Sequence, residues 1–333
     1  MATETTTMAA AEKTPEVSGR MPKDSKVPYS QQQRLPPWTM KNIRWVMGGY
    51  ITFVHVLAAA ALFYIRDCSA ATLWWSFVLW PITGFGITGG AHRLWSHRSY
   101  TAKPLYRGVV MLMNSCANQG SIWHWARDHR THHFHSETVA DPHDAIRGFL
   151  FAHIGWLYLK KDKRVAEAGA KVNLDDLRQD GFVMFQKAWD PWWNFFWCFV
   201  FPGMVASYGW GESATVGFFV PGALRYLYVL HATWFVNSAA HLWGERPYDP
   251  KSNPAENPFV AIVSVGEGWH NWHHKYPFDY AASEYGVLRQ FNPTKLIIDF
   301  GALCGSVTER KRATGMWSRE KAKRELAAKT KAG

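Results

Sequence analysis

From Trp45 to Ile65 the chain reads WVMGGYITFVHVLAAAALFYI, without a single Asp, Glu, Lys or Arg. A helix that crosses the hydrocarbon core of a bilayer takes about 20 such residues. After the short polar break RDCSA comes ATLWWSFVLWPITGFGITGGA, Ala71 to Ala91, whose proline and glycines are tolerated in membrane helices. A third apolar run covers Trp192 to Tyr208 and a fourth Val216 to about Ala240, separated only by GWGESAT. Lipid leaves every backbone polar group to be satisfied within the segment. The expected fold is therefore an all-α integral membrane protein with four transmembrane helices (45–65, 71–91, 192–208, 216–240) in two hairpins. The short outer turns put three parts on one side: the N-terminal arm, the segment from His92 to Pro191, and everything after His241. The arm carries Lys13, Arg20, Lys23, Lys26, Arg34, Lys41 and Arg44, and the tail carries Arg310, Lys311, Arg312, Arg319, Lys321, Lys323 and Arg324. The outer turns hold only Arg66, so the common side is expected to be cytosolic. Leu105–Met113 and Gly148–Leu159 are apolar but short and are expected to lie flat on the membrane surface. The predicted organisation is a cytosolic arm over 1–40, a membrane domain over 41–312 and a basic cytosolic tail over 313–333.

Composition agrees with a bilayer setting. The 333 residues include 19 Trp, 20 Phe and 13 Tyr, rings that settle at membrane interfaces. A mean hydropathy of -0.23 requires large polar regions between the apolar runs. The net charge of +11 suits nucleic acid, anionic lipid or a phosphorylated ligand. No nucleic-acid motif accompanies it. Cys68, Cys116, Cys198 and Cys304 are scattered without a CxxC pair, which argues against a disulfide framework and against a cysteine metal site.

Histidine carries the chemistry. HRLWSH gives His92 and His97, HRTHH gives His129, His132 and His133, and HNWHH gives His270, His273 and His274. All three words fall on the expected cytosolic side. On a helix, i, i+3 and i+4 share a face, so each HxxHH is expected to aim its imidazoles at one point. His55, His124, His135, His143, His153 and His231 stand alone and are read as ordinary hydrogen-bonded histidines. Eight clustered imidazoles exceed what one tetrahedral zinc takes, so two metals are expected. Imidazole serves Zn, Cu, Fe and Ni alike. No cluster contains the glutamate of a zinc hydrolase, which favours redox chemistry. In TWFVNSAAHLWG, Trp234, Asn237 and His241 recur at i, i+3 and i+7 and are expected on one helix face. A polar residue one turn before a histidine at the end of a span reads as part of the site.

The words GAHRLWSHRSY, WARDHRTHH, SETVADPH, NSAAHLWGERPYD and VGEGWHNWHH, with four spans in two hairpins, resemble the stearoyl-CoA desaturases, membrane acyl-CoA Δ9 desaturases. The resemblance runs from about Lys41 to Arg312. It implies a cytosolic helical cap holding a diiron centre of two Fe on His92, His97, His129, His132, His133, His241, His270, His273 and His274, with Asn237 acting through water. It also implies oxidation of a saturated C16 or C18 acyl-CoA to the cis-Δ9 product with consumption of O2. Electrons would come from cytochrome b5 and its NADH-dependent reductase, and the location would be the endoplasmic reticulum membrane. CoA contacts map onto Asn42, Trp125, Arg127, Asp128, Lys160, Lys161 and Trp234, and the blind end of the acyl tunnel onto Trp80 and Gly84. Gly120 and Lys160 depart from the asparagine and arginine of animal relatives. Neither an HPGG haem word nor a nucleotide-binding GxGxxG is present, so no bound haem or flavin is expected. The alternative reading is another histidine-box oxygenase, either a hydroxylase or a desaturase of lipid-bound chains.

Overall fold

The computed structural model describes residues 38–332, and nearly all of the expected arm lies outside them. The described chain is mostly helical, and its only paired strands are the two-residue antiparallel pair Thr101–Ala102 with Val307–Thr308, besides isolated bridges. The first apolar run forms α1, Trp45–Tyr64. The second forms α2, Ala70–Phe85, whose N-terminus is capped by Ser69 Oγ accepting from Thr72 N. With their flanking turns these make helical stretches of 23 residues (Trp45–Asp67) and 27 residues (Ala70–Ser96), both long and apolar enough to cross a membrane.

The second stretch runs past the expected end at Ala91. Over Gly86–Ser96 the backbone widens to i→i+5 hydrogen bonding, as in His97 N to His92 O at 3.0 Å. Such wide turns are rare and favour functional sites. This one carries His92 into the protein interior.

The third and fourth runs are also helical. α6 comprises Trp192–Phe195, Phe196–Val200 and Phe201–Trp210, and α7 comprises Ala214–Gly217, Phe218–Leu224 and Arg225–Asn237. A Cβ on Gly217 would sit 2.9 Å from Gly203 Cα, so small residues let these two helices touch backbone to backbone. α7 stops at Asn237, three residues before its expected end, and a separate turn, α8 (Ala239–Leu242), follows. The outer turns of the two hairpins are joined. Glu212 Oε2 accepts from Ser69 N, Ser69 Oγ and Thr72 Oγ1 at 3.0, 2.8 and 2.7 Å.

On the other side, α3 (Pro104–Ala117), α4 (Ile122–His135), α5 (Gly181–Trp189), α9 (Pro258–Val263), α10 (His270–Lys275) and α11 (Pro293–Leu303) form a cap. Its core joins Phe85 and Trp95 to Tyr100, Ile122, Leu177, Val183, Tyr280 and Ile298. Of the two short apolar runs, α3 buries Val110, Met111 and Asn114–Ala117 and leaves Leu105 and Val109 exposed, and 148–159 contains the turns Phe151–Gly155 and Trp156–Tyr158. The basic tail forms α12, Thr314–Ala332. Its beginning is packed, not free: Ala313 and Trp317 are buried with Tyr248, Trp272 and Tyr276, and Lys275 Nζ reaches Glu320 at 2.7 Å.

The clasp at Glu212 generates a prediction. Its carboxylate takes four hydrogen bonds, counting Ser213 N, and these hold its pKa near 2 against the upward pull of burial. Glu212→Ala should lower the thermal midpoint in detergent by a few degrees, as expected for the loss of about 1–2 kcal/mol at a partly exposed site. Activity per folded molecule should not change.

Candidate metal centre

The nine histidines expected as ligands form two groups. Ring nitrogens of His92, His97, His129, His133 and His273 lie within 4.8 Å of one another, as do those of His132, His241, His270 and His274. The expectation that each HxxHH aims at a single point is thereby corrected. His129 and His133 join the first group while His132 joins the second; His270 and His274 join the second while His273 joins the first. The reason is angular. At about 100° per residue, i and i+4 are roughly 40° apart on a helix, whereas i+3 lies about 100° from i+4. α4 and α10 therefore each serve both groups, with their roles exchanged.

Within the first group, Nε2 to Nε2 separations are 2.9 Å (His92–His273), 2.8 Å (His97–His129) and 3.0 Å (His133–His273). In the second they are 3.1 Å (His241–His270), 3.1 Å (His270–His274) and 3.4 Å (His132–His274). Two nitrogens bound at right angles about 2.1 Å from one ion are about 3.0 Å apart. A neutral imidazole has one N–H, so rings that all turn Nε2 inward cannot all be hydrogen-bonded to one another. A cation resolves that conflict, and the donor set fits metal ions.

Two of the outward nitrogens face carboxylates. His132 Nδ1 lies 2.9 Å from both oxygens of Asp141, and His92 Nδ1 lies 2.9 Å from Glu267 Oε2. This fixes the proton on Nδ1 and leaves Nε2 as the ligand atom. Burial would raise the pKa of Glu267, but Arg93 and His92 pull it down to about 2. Asp141 is likewise lowered by His132 against its burial. His97, His129, His133, His270, His273 and His274 are pushed well below 6.5 by burial and then by neighbouring charges, chiefly the other imidazoles. They are neutral and ready to bind metal at physiological pH.

The carboxylates escaped the sequence reading, although Glu267 sits three residues before His270 and Asp141 lies in the word SETVADPH. Each faces the far nitrogen of a histidine, so neither is placed as a hydrolytic base. Arg93 escaped it too. It is fully buried and donates to Glu267 Oε1 and to the carbonyls of Tyr280 and Ala281. Four of the histidines read as standing alone have histidine neighbours: His143 packs its ring 4.3 Å from that of His132, His153 bonds to His231, and His231 to His55.

A cavity runs past both groups. It is lined by Trp80 and Gly84, by Val263 and Val265, by His92, His129, His132 and His270, and by Thr233 and Asn237. Gly84 does face this wall: a Cβ there would lie 2.5 Å from Val265 Cγ2. Trp80 Nε1 donates to Val263 O at 3.0 Å. Trp125, Thr233 and Asn237 also border a larger cleft of about 740 Å³ that includes Arg44, Arg127, Asp128, Lys160, Lys161 and Trp234. At the junction, Gln119 accepts from Trp125 Nε1 at 3.2 Å and donates to Thr233 Oγ1 at 2.8 Å, a pair of contacts that no sequence spacing announces. Asp128 is paired with Arg127 and Lys161. Asn42 is not among the residues bordering the cleft; its carbonyl accepts from Lys160 N at 2.8 Å. Trp234 and Asn237 lie on one helix as expected, whereas His241 does not continue their face, because the break at Ser238 comes before it.

The sequence profile of the fatty acid desaturase family matches residues 72–288, which hold most of α2, the cavity and all nine histidines. The chain belongs to the fatty acid desaturase family. It is 46% identical over 274 residues to stearoyl-CoA desaturase 5 of Bos taurus, covering 82% of this chain and 81% of that one. It is 45% identical over 300 residues to the acyl-CoA Delta-9 desaturase of Acheta domesticus, covering 89% and 80%. It is 44% identical over 264 residues to the stearoyl-CoA desaturase of Sus scrofa, covering 79% and 73%. For this desaturase, Asp141→Asn should weaken metal retention about 10–100-fold, since the partner that orients His132 is lost. Metal content after dialysis against graded chelator reads the effect.

Proposed function

We propose that this protein is an acyl-CoA Δ9 desaturase, an oxidoreductase that converts a saturated acyl-CoA and O2 into the cis-monounsaturated acyl-CoA. The observation that carries the reading is the cavity that passes both histidine groups and joins a cleft bordered by Arg44, Arg127, Lys160 and Lys161. A polyanionic CoA is matched by those cations, and an acyl chain by the apolar walls, at about 0.8 kcal/mol per buried CH2. Two irons fit the five- and four-histidine groups, with Asn237 joining through water. When bound they supply the oxidant that an alkyl CH2 demands, since such a group offers neither an acidic proton nor a leaving group.

The chain's own residues do the rest. Trp80, Gly84 and Val265 limit how far the methyl end enters. Gln119, Thr233 and Trp125 shape the passage where the cavity meets the cleft, and the cleft's cations hold the thioester end. Carbon count from the thioester to the metal centre then sets the position of the double bond. The reaction balances as acyl-CoA, O2, two electrons and two protons giving the Δ9 product and two waters. Cytochrome b5 and its NADH-dependent reductase are the proposed electron source. The proposed setting is the endoplasmic reticulum membrane, crossed by α1, α2, α6 and α7, with both termini cytosolic.

Expression in cells lacking their own Δ9 desaturase, fed saturated acids, should yield a double bond between C9 and C10 by mass spectrometry. Product unsaturated elsewhere, or hydroxylated, would overturn the reading. The purified enzyme should be inert with NADH alone and active once cytochrome b5 and its reductase are added. Gly84→Ala forces Val265 into the cavity, an overpacking worth about 1–3 kcal/mol. The ratio of C16 to C18 products from competing substrates should rise severalfold, with the double bond still at Δ9.

A further inference from the structure

Three histidines outside the metal groups form a line. His55 is on α1, His231 on α7, and His153 in the Phe151–Gly155 turn. His153 Nε2 lies 2.9 Å from His231 Nδ1, and His231 Nε2 lies 3.2 Å from His55 Nε2. One end of the line rests on the Ile51 carbonyl, 2.8 Å from His55 Nδ1, and the other on Ser238 Oγ, 3.0 Å from His153 Nδ1. The middle ring uses both nitrogens, so the three do not converge on a point and make no metal cage. The Ile51 carbonyl can only accept, which puts the hydrogen on His55 Nδ1. His231 Nε2 then donates to His55, and His153 Nε2 donates to His231. The Ser238 hydroxyl is shared between His153 Nδ1 and the Trp234 carbonyl 2.8 Å away. A line that ends on a carbonyl is a dead end for protons, and its effect is on position.

Ser238, with φ -106° and ψ -74°, is the break between α7 and α8. Just before it Asn237 borders the cavity, and just after it His241 enters the four-histidine group. Trp234 is enclosed by the same rings: His55 stacks on it at 6.4 Å, and His231 and His153 stand edge-on at 5.0 and 5.9 Å. Histidines on apolar helices are costly to leave without partners and mark functional networks. We propose that His55, His231 and His153 are positioning residues for desaturation, a hydrogen-bonded brace that fixes the break at Ser238 and the placement of Trp234, and so the register of the acyl chain against the metal centre. This rests on the desaturase reading above.

The test uses the full chain, metal-loaded, with its electron donors, and measures product formed per O2 consumed alongside KM and bound metal. His231→Leu and Ser238→Ala should each lower product per O2 by about threefold or more while KM stays within about twofold and bound metal is retained. The double variant should be no worse than the poorer single one, because both cut one brace. His231→Asn, which keeps a polar partner for His153, should recover most of the coupling. Should His231→Leu fail to fold, Ser238→Ala and His55→Phe, at the two ends of the brace, carry the same expectation. Wild-type coupling in these variants, additive losses, or an Asn variant as poor as Leu would overturn the proposal, as would a loss of metal or of folded protein with coupling unchanged. If the wild-type protein itself makes no Δ9 product, the functional reading fails; a loss confined to the variants concerns the brace alone.

Discussion

The ion pair between Arg93 and Glu267, buried at the wide turns that follow α2, is the contact on which the rest of the site depends. Arg93 is 1% exposed and Glu267 5%. An unpaired charge at such a depth would cost several kcal/mol, so neither residue can be seated without the other. Glu267 also holds His92 by its outward nitrogen, while Arg93 donates to the carbonyls of Tyr280 and Ala281. A single pair thus ties the end of an apolar helix, the segment leading into α10 and the loop before α11 to one of the clustered histidines. The strain nearby fits that role: Val265, β-branched, is held at φ 55° two residues before Glu267, a conformation that persists only where surrounding contacts impose it.

From this anchor the two histidine groups are built by exchange. α4 and α10 each send two imidazoles to one group and one to the other, so neither group can form unless both helices are seated. His92 and His97, from the wide turns at the end of α2 and just beyond them, complete the first group. His241, after the break at Ser238, completes the second. The two histidine groups therefore report the correct docking of the shorter helices on the long ones, and the cavity between them inherits its width from the same contacts. Gly84 opposite Val265 and the Gln119–Thr233 bond are consequences of that docking.

Much of this was legible in the chain. The helices α1 and α2 could be read because a run of about 20 apolar residues has one stable outcome in lipid. The histidine boxes could be read because their density has no bland explanation. The ends of elements were harder. The stretch begun by α2 runs on to Ser96 through wide turns buried throughout, and α7 stops at Asn237, where Ser238 lies 3.0 Å from His153 across the fold. The tail reads in sequence only as a basic segment, yet Trp317 packs beside Tyr248 and Trp272, a contact visible only once α10 is in place.

The sequence by itself determined which residues can ligate metal, which segments are apolar enough to span, and the family that both features identify, since ligand chemistry and hydropathy are properties of residues taken singly or in short words. Only the tertiary structure decided how the nine histidines divide, which carboxylates orient them, and that three histidines read as solitary form one line. Those outcomes depend on distances between segments as much as 181 positions apart, as His92 and His273 are. The angular offset between i+3 and i+4 on a helix turns into different ligands for different groups only when a second helix supplies the rest.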